Sequence, residues 1–368
     1  MQPLSVYIHI PFCLSKCAYC DFASFPGQEA HWEAYFRALN AEIRAAGDAR
    51  YRVETVFFGG GTPSLVPAEL LADTLATVRE AFCLSPAAEI SLEANPGTIH
   101  LQKLRAYRRA GFNRISLGVQ SFDARLLREI GRIHTPEQAA EAVRLAREAG
   151  FENLNLDLMY GLPGQSVEDF RATLSRAIAL QPEHVSAYAL IVEEGTPIAR
   201  RTDELPPEEE VLEMQRLATR MLAASGLVRY EISNYARPGF ACRHNRVYWH
   251  RGEYRGFGAA AHSFLGGARF ENPSELSRYL SGERGLNREE ISPESAMEEA
   301  ILLATRTVEG LSLSRWRSEF GSEFSQGREQ ILKDLLSQEL IAIDGDALRL
   351  TPRGMELQNA IVLALVDG

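Results

Sequence analysis

Three cysteines near the amino terminus have the spacing of a metal-cluster motif. Cys13, Cys17 and Cys20 form a CxxxCxxC array, and the chain has only two other cysteines, Cys83 and Cys242. A structural zinc site needs four ligands, so zinc would require a further Cys or His nearby. Three thiolates can instead hold three irons of a [4Fe-4S] cluster and leave the fourth iron open for chemistry. The array favours such a cluster, and a zinc site or three unrelated thiols are the alternatives.

Further candidate binding residues follow the strands predicted below. The second predicted strand runs into Gly59–Pro63, with the sequence GGGTP, whose glycines allow the backbone to approach a ligand closely but would also suit a plain turn. Glu93, Gln120 and Asp157 stand at or near the ends of later strands, and Arg132 lies beyond Gln120. Helix caps or solvated loop charges are the simpler interpretation of each of these four residues.

Length, charge and composition limit the possible classes of protein. With 368 residues the chain exceeds a usual domain, so a large barrel plus a smaller unit is expected. The net charge of −10 argues against a general nucleic-acid binder, which needs Lys and Arg to neutralise phosphates. We expect no membrane span and no signal peptide, because no segment has either pattern. A labile cluster also needs a reducing compartment, so a cytoplasmic protein is predicted.

Short strand patterns alternate with helical patterns up to about residue 192, which is typical of a parallel sheet of βα units. The six predicted strands are Leu4–Ile10, Val53–Phe58, Glu89–Glu93, Arg114–Leu117, Asn153–Leu158 and His184–Leu190. Six units fall two short of a closed eight-stranded barrel. The predicted fold class is therefore α/β, an open (β/α)6 three-quarter barrel over residues 1–225, with ligands at the carboxyl ends of its strands.

The rest of the chain lacks the regular alternation of strand and helix patterns. A connecting segment is predicted over residues 226–290, with strands at Tyr230–Asn234 and Ser263–Phe270 and a turn at Gly256–Gly258. Residues 291–368 are predicted to form an α+β winged-helix-like domain of helices and a terminal hairpin. That domain carries thirteen acidic and seven basic residues, a net charge of −6, so we discount nucleic-acid binding by it. Cys83 is predicted to end an apolar helix as a packed small hydrophobe.

The cysteine array and the GGGTP segment together resemble the radical S-adenosylmethionine (SAM) family. The resemblance implies a [4Fe-4S] cluster on Cys13, Cys17 and Cys20, with SAM chelated at the open iron. It also implies that Tyr19 rests near the adenine and that the methionyl group meets the glycine segment. The residues expected around SAM are Tyr7, Tyr19, Gly60, Gly61, Thr62, Glu93, Gln120, Arg132 and Asp157.

Over essentially the whole chain, these strings in this order resemble the branch that contains oxygen-independent coproporphyrinogen III dehydrogenase. Two departures point to a paralogous family in that branch, the heme chaperones of the HemW type. Phe22 stands where the dehydrogenase has a further cysteine, and the first predicted strand begins at about Leu4, without the long arm of the enzyme. Coproporphyrinogen decarboxylation is the alternative function.

A second string supports the chaperone resemblance. His244–Trp249 reads HNRVYW and is similar to the HNxxYW signature that the chaperones associate with heme. The resemblance implies heme binding near His244, Tyr248 and Trp249, with Cys242 and His250 as neighbouring alternatives for the iron ligand. A structural cluster is the alternative interpretation. The partners expected are heme, heme-accepting apoproteins such as respiratory cytochromes, and a second copy of the chain.

Overall fold

The structure, a computed structural model, describes residues 1–367. Its β-strands, in chain order, are β1 (Gln2–Ile10), β2 (Phe12–Cys13), β3 (Phe25–Pro26), β4 (Tyr51–Gly60), β5 (Cys83–Ala94), β6 (Arg114–Gln120), β7 (Leu154–Tyr160), β8 (His184–Ala189), β9 (Val228–Arg229), β10 (Asn234–Ala236), β11 (Tyr254–Phe257), β12 (His262–Leu265), β13 (Ala268–Glu271), β14 (Leu286–Glu290), β15 (Leu311–Ser312), β16 (Ile341–Asp344) and β17 (Ala347–Leu350).

The α-helices of the same residues are α1 (Trp32–Ala45), α2 (Ala68–Ala81), α3 (Leu101–Ala110), α4 (Ala124–Glu129), α5 (Pro136–Glu148), α6 (Val167–Ala179), α7 (Glu208–Ala224), α8 (Arg243–Trp249), α9 (Leu276–Leu280), α10 (Pro293–Thr305), α11 (Leu313–Phe320), α12 (Glu329–Ser337), α13 (Pro352–Glu356) and α14 (Gln358–Asp367). Capping boxes begin α5 at Thr135 and α6 at Ser166, where each hydroxyl accepts from a backbone N–H of the first turn.

Six parallel strands form the barrel in the order β1-β4-β5-β6-β7-β8, and each is joined to the next by helical connections. Within residues 1–367, β1 and β8 pair with other strands and not with each other: β1 with β11, and β8 with β10. The barrel is therefore open, and the predicted fold class is confirmed. The strands are buried on both faces, as parallel sheets covered by helices are, and carry the apolar core.

The segment predicted to connect the two domains extends the same sheet at both edges. Strand β11 adds in parallel beside β1, followed by the antiparallel strands β12, β13 and β14, while β10 and β9 add beyond β8. The carboxyl-terminal residues form a second apolar core of their own around Trp316 and a small sheet in the order β15-β17-β16. The domain boundaries at residues 225 and 290 stay predictions.

Several local predictions in this part of the chain were wrong. Gly256 lies inside β11 rather than in a turn, and only Gly258, with φ of 98°, has a left-handed backbone. The single strand predicted at Ser263–Phe270 is a hairpin, because Gly266 and Gly267 adopt positive φ values of 61° and 75° between β12 and β13. Adjacent glycines at these angles are a hairpin signal that the strand prediction overlooked.

Two further predictions fail because backbone groups find other partners. Residues Tyr230–Asn234 were expected to form a strand, but the Arg229 guanidinium donates to the carbonyls of Glu231 and Ile232 and holds this stretch as a loop. Cys83 was expected at a helix end. It begins β5, because the residue before it is already extended and Cys83 pairs with Arg52 of β4.

Candidate functional site

A cavity of about 550 Å³ opens at the carboxyl ends of the barrel strands. It is lined by the three cysteines of the CxxxCxxC array and by every residue predicted for SAM except Tyr7. The parallel strands end at the same edge of the sheet, so side chains that are far apart in sequence meet there. Residues of the last barrel strand that the sequence analysis did not identify, Tyr188 and Ala189, also line it.

The cysteine loop leaves β1 and crosses the mouth of the barrel. Cys13 ends β2, and its Sγ lies 3.5 Å from Oγ1 of Thr62 in the glycine segment. Cys17 Sγ accepts a hydrogen bond of 3.7 Å from Nη1 of Arg132, and all three thiols are half-buried. Within residues 1–367, no three side chains are arranged around one point as ligands of a single metal ion. The loop nonetheless brings the three thiols to one cavity wall beside a hydroxyl and a guanidinium.

The glycines of the GGGTP segment are required first by packing within the protein. Gly60 has φ of 109°, and a Cβ placed there would lie 2.5 Å from Cε1 of His9. A Cβ on Gly61 would lie 2.8 Å from the carbonyl oxygen of Phe12. Glycine therefore allows β4 to end against the chain that leads from β1 to Cys13. Gly60 and Gly61 also line the cavity, so their predicted approach to a ligand stays a prediction.

Two half-buried carboxyl groups give the cavity its electrostatic character. Glu93, at the end of β5, accepts a 3.1 Å hydrogen bond from the Gly60 N–H, and burial together with the nearby Asp157 raises its pKa from 4.5 to about 8. Asp157 in β7 accepts from Ser116 at 2.8 Å and from Asn155 at 2.7 Å, and burial raises its pKa as well. The raised pKa values mean that the negative charge of an ionised carboxylate here is not compensated by solvent or by a nearby positive charge. A cationic ligand would supply that compensation.

The remaining residues predicted for SAM form the walls of the cavity. Arg132 donates to Cys17 and also to the carbonyl oxygen of Gly118. Gln120 ends β6 with an unusual positive φ of 63°, and its buried side chain lies beside Arg132. Tyr19 packs against a small apolar cluster, and burial raises the pKa of its hydroxyl. The thiols, the carboxyls and the guanidinium at this one opening fit an iron–sulfur cluster and a cationic cosubstrate.

A second cavity of about 570 Å³ is lined by residues of β1, β11 and β12. Its walls are largely aromatic and include Tyr7, Tyr248, Trp249, Tyr254 and Phe264. Tyr254 and Phe264 were not candidates from the sequence, because β11 was not predicted and β12 was merged with β13 into a single strand. The rings of Tyr248 and Tyr254 pack edge to face, with nearly perpendicular planes and ring centroids 4.7 Å apart.

Tyr7 belongs to this second cavity. Its hydroxyl lies 3.1 Å from Nδ1 of His9, while Nε2 of His9 lies 3.0 Å from the carbonyl oxygen of Ala23. Because a carbonyl can only accept, Nε2 carries the proton and Nδ1 accepts from Tyr7. Burial lowers the pKa of His9 to about 4, which keeps the ring neutral. The strand that leads into the cysteine loop is thus tied to the wall of the second cavity.

The two cavities meet at the residues that follow the third cluster cysteine. Asp21 and Phe22 line both of them. The Phe22 side chain is 66% exposed although it is large and apolar. Phe22 therefore presents an exposed phenyl ring to both cavities.

His244 lies in the protein core and not on a cavity wall. Thr55 Oγ1 donates to Ser5, so His244 Nδ1 must donate to Thr55 at 2.7 Å, and its Nε2 accepts from the Tyr248 hydroxyl at 2.8 Å. The ring stacks on Phe57, and burial lowers its pKa to about 3. Both ring nitrogens of His244 are hydrogen-bonded within the protein, so His244 is a structural residue here.

The neighbouring alternatives of the HNRVYW string also have partners within the protein. Cys242 is fully buried, and its Sγ donates to Glu89 at 3.6 Å. Glu89 also accepts from the backbone N–H groups of Arg243 and His244 and thereby caps the positive end of α8. His250 lies 2.8 Å from Glu309 and lines neither cavity. From this string, only Tyr248 and Trp249 reach a cavity.

Comparison with known proteins is consistent with this geometry. The model of the radical SAM superfamily matches residues 7–177, and that of the HemN C-terminal domain matches residues 291–357. The structure of coproporphyrinogen III oxidase (HemN) from Escherichia coli aligns with a TM-score of 0.88 at 26% identity, covering 99% of this chain and 90% of the other.

Relatives named heme chaperone HemW match along nearly the whole chain. The protein of Mycobacterium tuberculosis is 40% identical over 380 residues, covering 99% of this chain and 95% of the relative. The Bacillus subtilis protein is 36% identical, covering 97% of each chain. The chain therefore belongs to the HemW family within the radical SAM superfamily. None of the helices in residues 1–367 has the length and apolar character that crossing a membrane requires.

Proposed function

We propose that this member of the HemW family is a heme chaperone, which carries a [4Fe-4S] cluster and SAM at the barrel mouth, binds heme, and delivers it to apoproteins. The observation that carries the proposal is the match along almost the full length of several relatives named heme chaperone, at 35% to 40% identity. A match of this extent includes the residues of both cavities.

The barrel-mouth cavity supports the cofactor part of the proposal. Cys13, Cys17 and Cys20 would hold the cluster, which supplies an open iron for SAM when bound. The half-buried carboxyls of Glu93 and Asp157 would gain a cationic partner in the amino and sulfonium groups of SAM. Their raised pKa values would then fall, so binding of SAM should release protons.

The second cavity supports the heme part. Aromatic walls suit the face of a macrocycle, and Tyr248 and Trp249 of the HNRVYW string contribute two of them. Arg251 and Arg269 at the same cavity offer cationic groups to the propionates. We therefore place heme here, with Tyr248 and Trp249 contacting the ring. His244 would hold Tyr248 in position through the hydrogen bond to its hydroxyl.

Delivery requires an acceptor, and we propose apoproteins such as respiratory cytochromes. The contact of Phe22 with both cavities supports a link between cluster loop and heme, since movement of the loop would change the heme cavity wall. We also propose a cytoplasmic location, because a cluster at an open cavity requires reducing conditions. We further propose that the protein forms a homodimer and that the presence of the cluster influences this assembly.

The second candidate is an oxygen-independent coproporphyrinogen III dehydrogenase. The close structural likeness to the Escherichia coli oxidase favours it. Phe22 argues against it, because a phenyl ring cannot replace a thiol in binding or proton transfer.

The two candidates differ in what anaerobically reconstituted protein should do. Heme titration and coproporphyrinogen III conversion, the latter with SAM and a reductant, are to be measured on the same preparation. We expect saturable heme binding at micromolar or tighter affinity and no decarboxylation. Conversion to protoporphyrinogen IX without saturable heme binding would favour the enzyme.

A further inference from the structure

Only one histidine on the wall of the second cavity is placed to bind an iron. We propose that His262 supplies the axial ligand to heme in this cavity, with Glu271 orienting its ring. The inference rests on the proposed function, since it names the residue through which the proposed cargo would be held. Nothing in the HNRVYW string leads to this residue, which lies in β12.

His262 is exposed and faces the cavity from a strand. Its side chain is 67% exposed and lines the second cavity. Nε2 lies 3.2 Å from Oε2 of Glu271, which is its directly paired neighbour on β13. A carboxylate beside one nitrogen of an imidazole orients the ring and makes the other nitrogen a stronger donor to a metal. Nδ1 is therefore left for the iron.

The other histidine of the cavity and two of its three tyrosines are already engaged within the protein. Nδ1 of His9 accepts from Tyr7, and its Nε2 donates to a carbonyl. The Tyr248 hydroxyl donates to His244, whose second nitrogen is bonded to Thr55. To bind iron, Tyr7 or Tyr248 would have to break its bond to a buried histidine and leave that ring unsatisfied, which costs about 1–3 kcal/mol. Burial raises the pKa of the third tyrosine, Tyr254, and so disfavours the phenolate that iron would need. The part of the cavity wall that the structure describes contains no Cys or Met.

The charges around the cavity suit a ring with an axial imidazole at one side and carboxylates at another. Arg251 and Arg269 line the same cavity and share the carboxylate of Glu299. Glu319 pairs with Arg251 as well, so two carboxylates face the two guanidiniums, and a propionate would be held by direct contact with guanidinium N–H groups rather than by excess charge. The Nε of Arg251 has no hydrogen-bond partner and lies 3.6 Å from Glu299. A propionate could therefore gain a charge-assisted hydrogen bond here.

The test compares ferric heme complexes of the full-length wild type, His262→Ala and His31→Ala. His31 is an exposed histidine that lines neither cavity, so it controls for nonspecific loss of an imidazole. Heme is titrated into each protein, and absorption, electron paramagnetic resonance and resonance Raman spectra identify the axial ligand. We expect an imidazole-ligated spectrum in wild type and His31→Ala. His262→Ala should lose that signature, with heme affinity at least about tenfold weaker.

Two further measurements separate ligation from an effect on folding. Added imidazole should restore the wild-type spectrum of His262→Ala, because the small molecule can occupy the vacated position. Glu271→Gln should keep imidazole ligation but raise the reduction potential of bound heme, because a weaker acceptor makes the imidazole a poorer donor. A potential unchanged in Glu271→Gln would refute the orienting role of Glu271.

The outcomes distinguish this inference from the proposed function. Saturable heme binding by wild type, with the same ligand spectrum in His262→Ala, would overturn the assignment of His262 and leave the chaperone proposal standing. A phenolate spectrum in wild type would overturn it in favour of a tyrosine of the cavity. Absence of saturable binding by wild type would instead refute the proposed function itself.

Discussion

Replacing Glu93 with Gln removes a half-buried carboxyl group at the barrel mouth, and the amide that replaces it has nearly the same shape. The pKa of Glu93 is raised from 4.5 to about 8 in the folded protein, so the folded state binds more protons than the unfolded chain between these values. The stability that protonated Glu93 contributes is complete below pH 4.5 and is lost as the pH rises through 8. Gln cannot ionise, so its contribution does not change with pH.

The size of the effect follows from these two pKa values. Linkage gives a loss of about 2.3 kcal/mol in the free energy of unfolding between pH 6 and pH 8 from Glu93 alone. Asp157 lies nearby, its pKa is also raised, and the two carboxyls share their protons. We therefore expect the difference between Glu93→Gln and wild type to grow in favour of the variant by about 1 to 2 kcal/mol over this range.

The assay is urea unfolding of the cluster-free protein, followed by far-UV circular dichroism at pH 6, 7 and 8. Taking the difference between variant and wild type cancels the contributions of His9, His134 and His244, whose lowered pKa values act in the opposite direction. Glu152→Gln, an exposed carboxyl to amide change, is the matched control. A difference between Glu93→Gln and wild type that stays constant from pH 6 to pH 8 would refute the reasoning.

Three further predictions concern the cluster, SAM and the core beneath the second cavity. Cys17→Ser should lose the absorption of the reconstituted cluster, whereas Cys83→Ser in strand β5 should keep it; a normal cluster in Cys17→Ser would remove the assignment. Asp157→Asn should keep the cluster but weaken SAM binding at least about tenfold by calorimetry, because the anionic partner is lost; unchanged affinity would contradict this placement. Tyr248→Phe should lower the free energy of unfolding by about 1–3 kcal/mol, because Nε2 of His244 loses its hydrogen-bond donor. Denaturant unfolding of the variant and the wild type measures this difference, and equal stabilities would contradict the prediction.

The sequence was sufficient for the barrel because its signals are local. Each of the six strands has a short apolar run, and each following helix has its own start, such as the capping box at Thr135. The cysteine spacing and GGGTP needed no tertiary information either, because their residues are close together in the chain. The order of the strands then follows, since consecutive βα units lie side by side.

The irregular extension of the sheet could not be predicted in the same way. Strand β11 is short and contains Gly256, and it becomes a strand because β1 offers it an unpaired edge. The loop at Glu231 and Ile232 depends on a guanidinium that satisfies its carbonyl groups. Such partners are not encoded in the periodicity of the segment itself.

The sequence by itself determined which residues have the chemistry for the first site, and the fold brings Cys17, Glu93, Arg132 and Asp157 to one opening. Only the tertiary structure decided what each neighbouring residue faces. Tyr7 lines the second cavity because it is paired with Gly256 of β11, at the side of the barrel where β11 and β12 extend the sheet. His244 is enclosed because both its nitrogens find partners in the core, whereas His262 in β12 lines the second cavity with an exposed side chain.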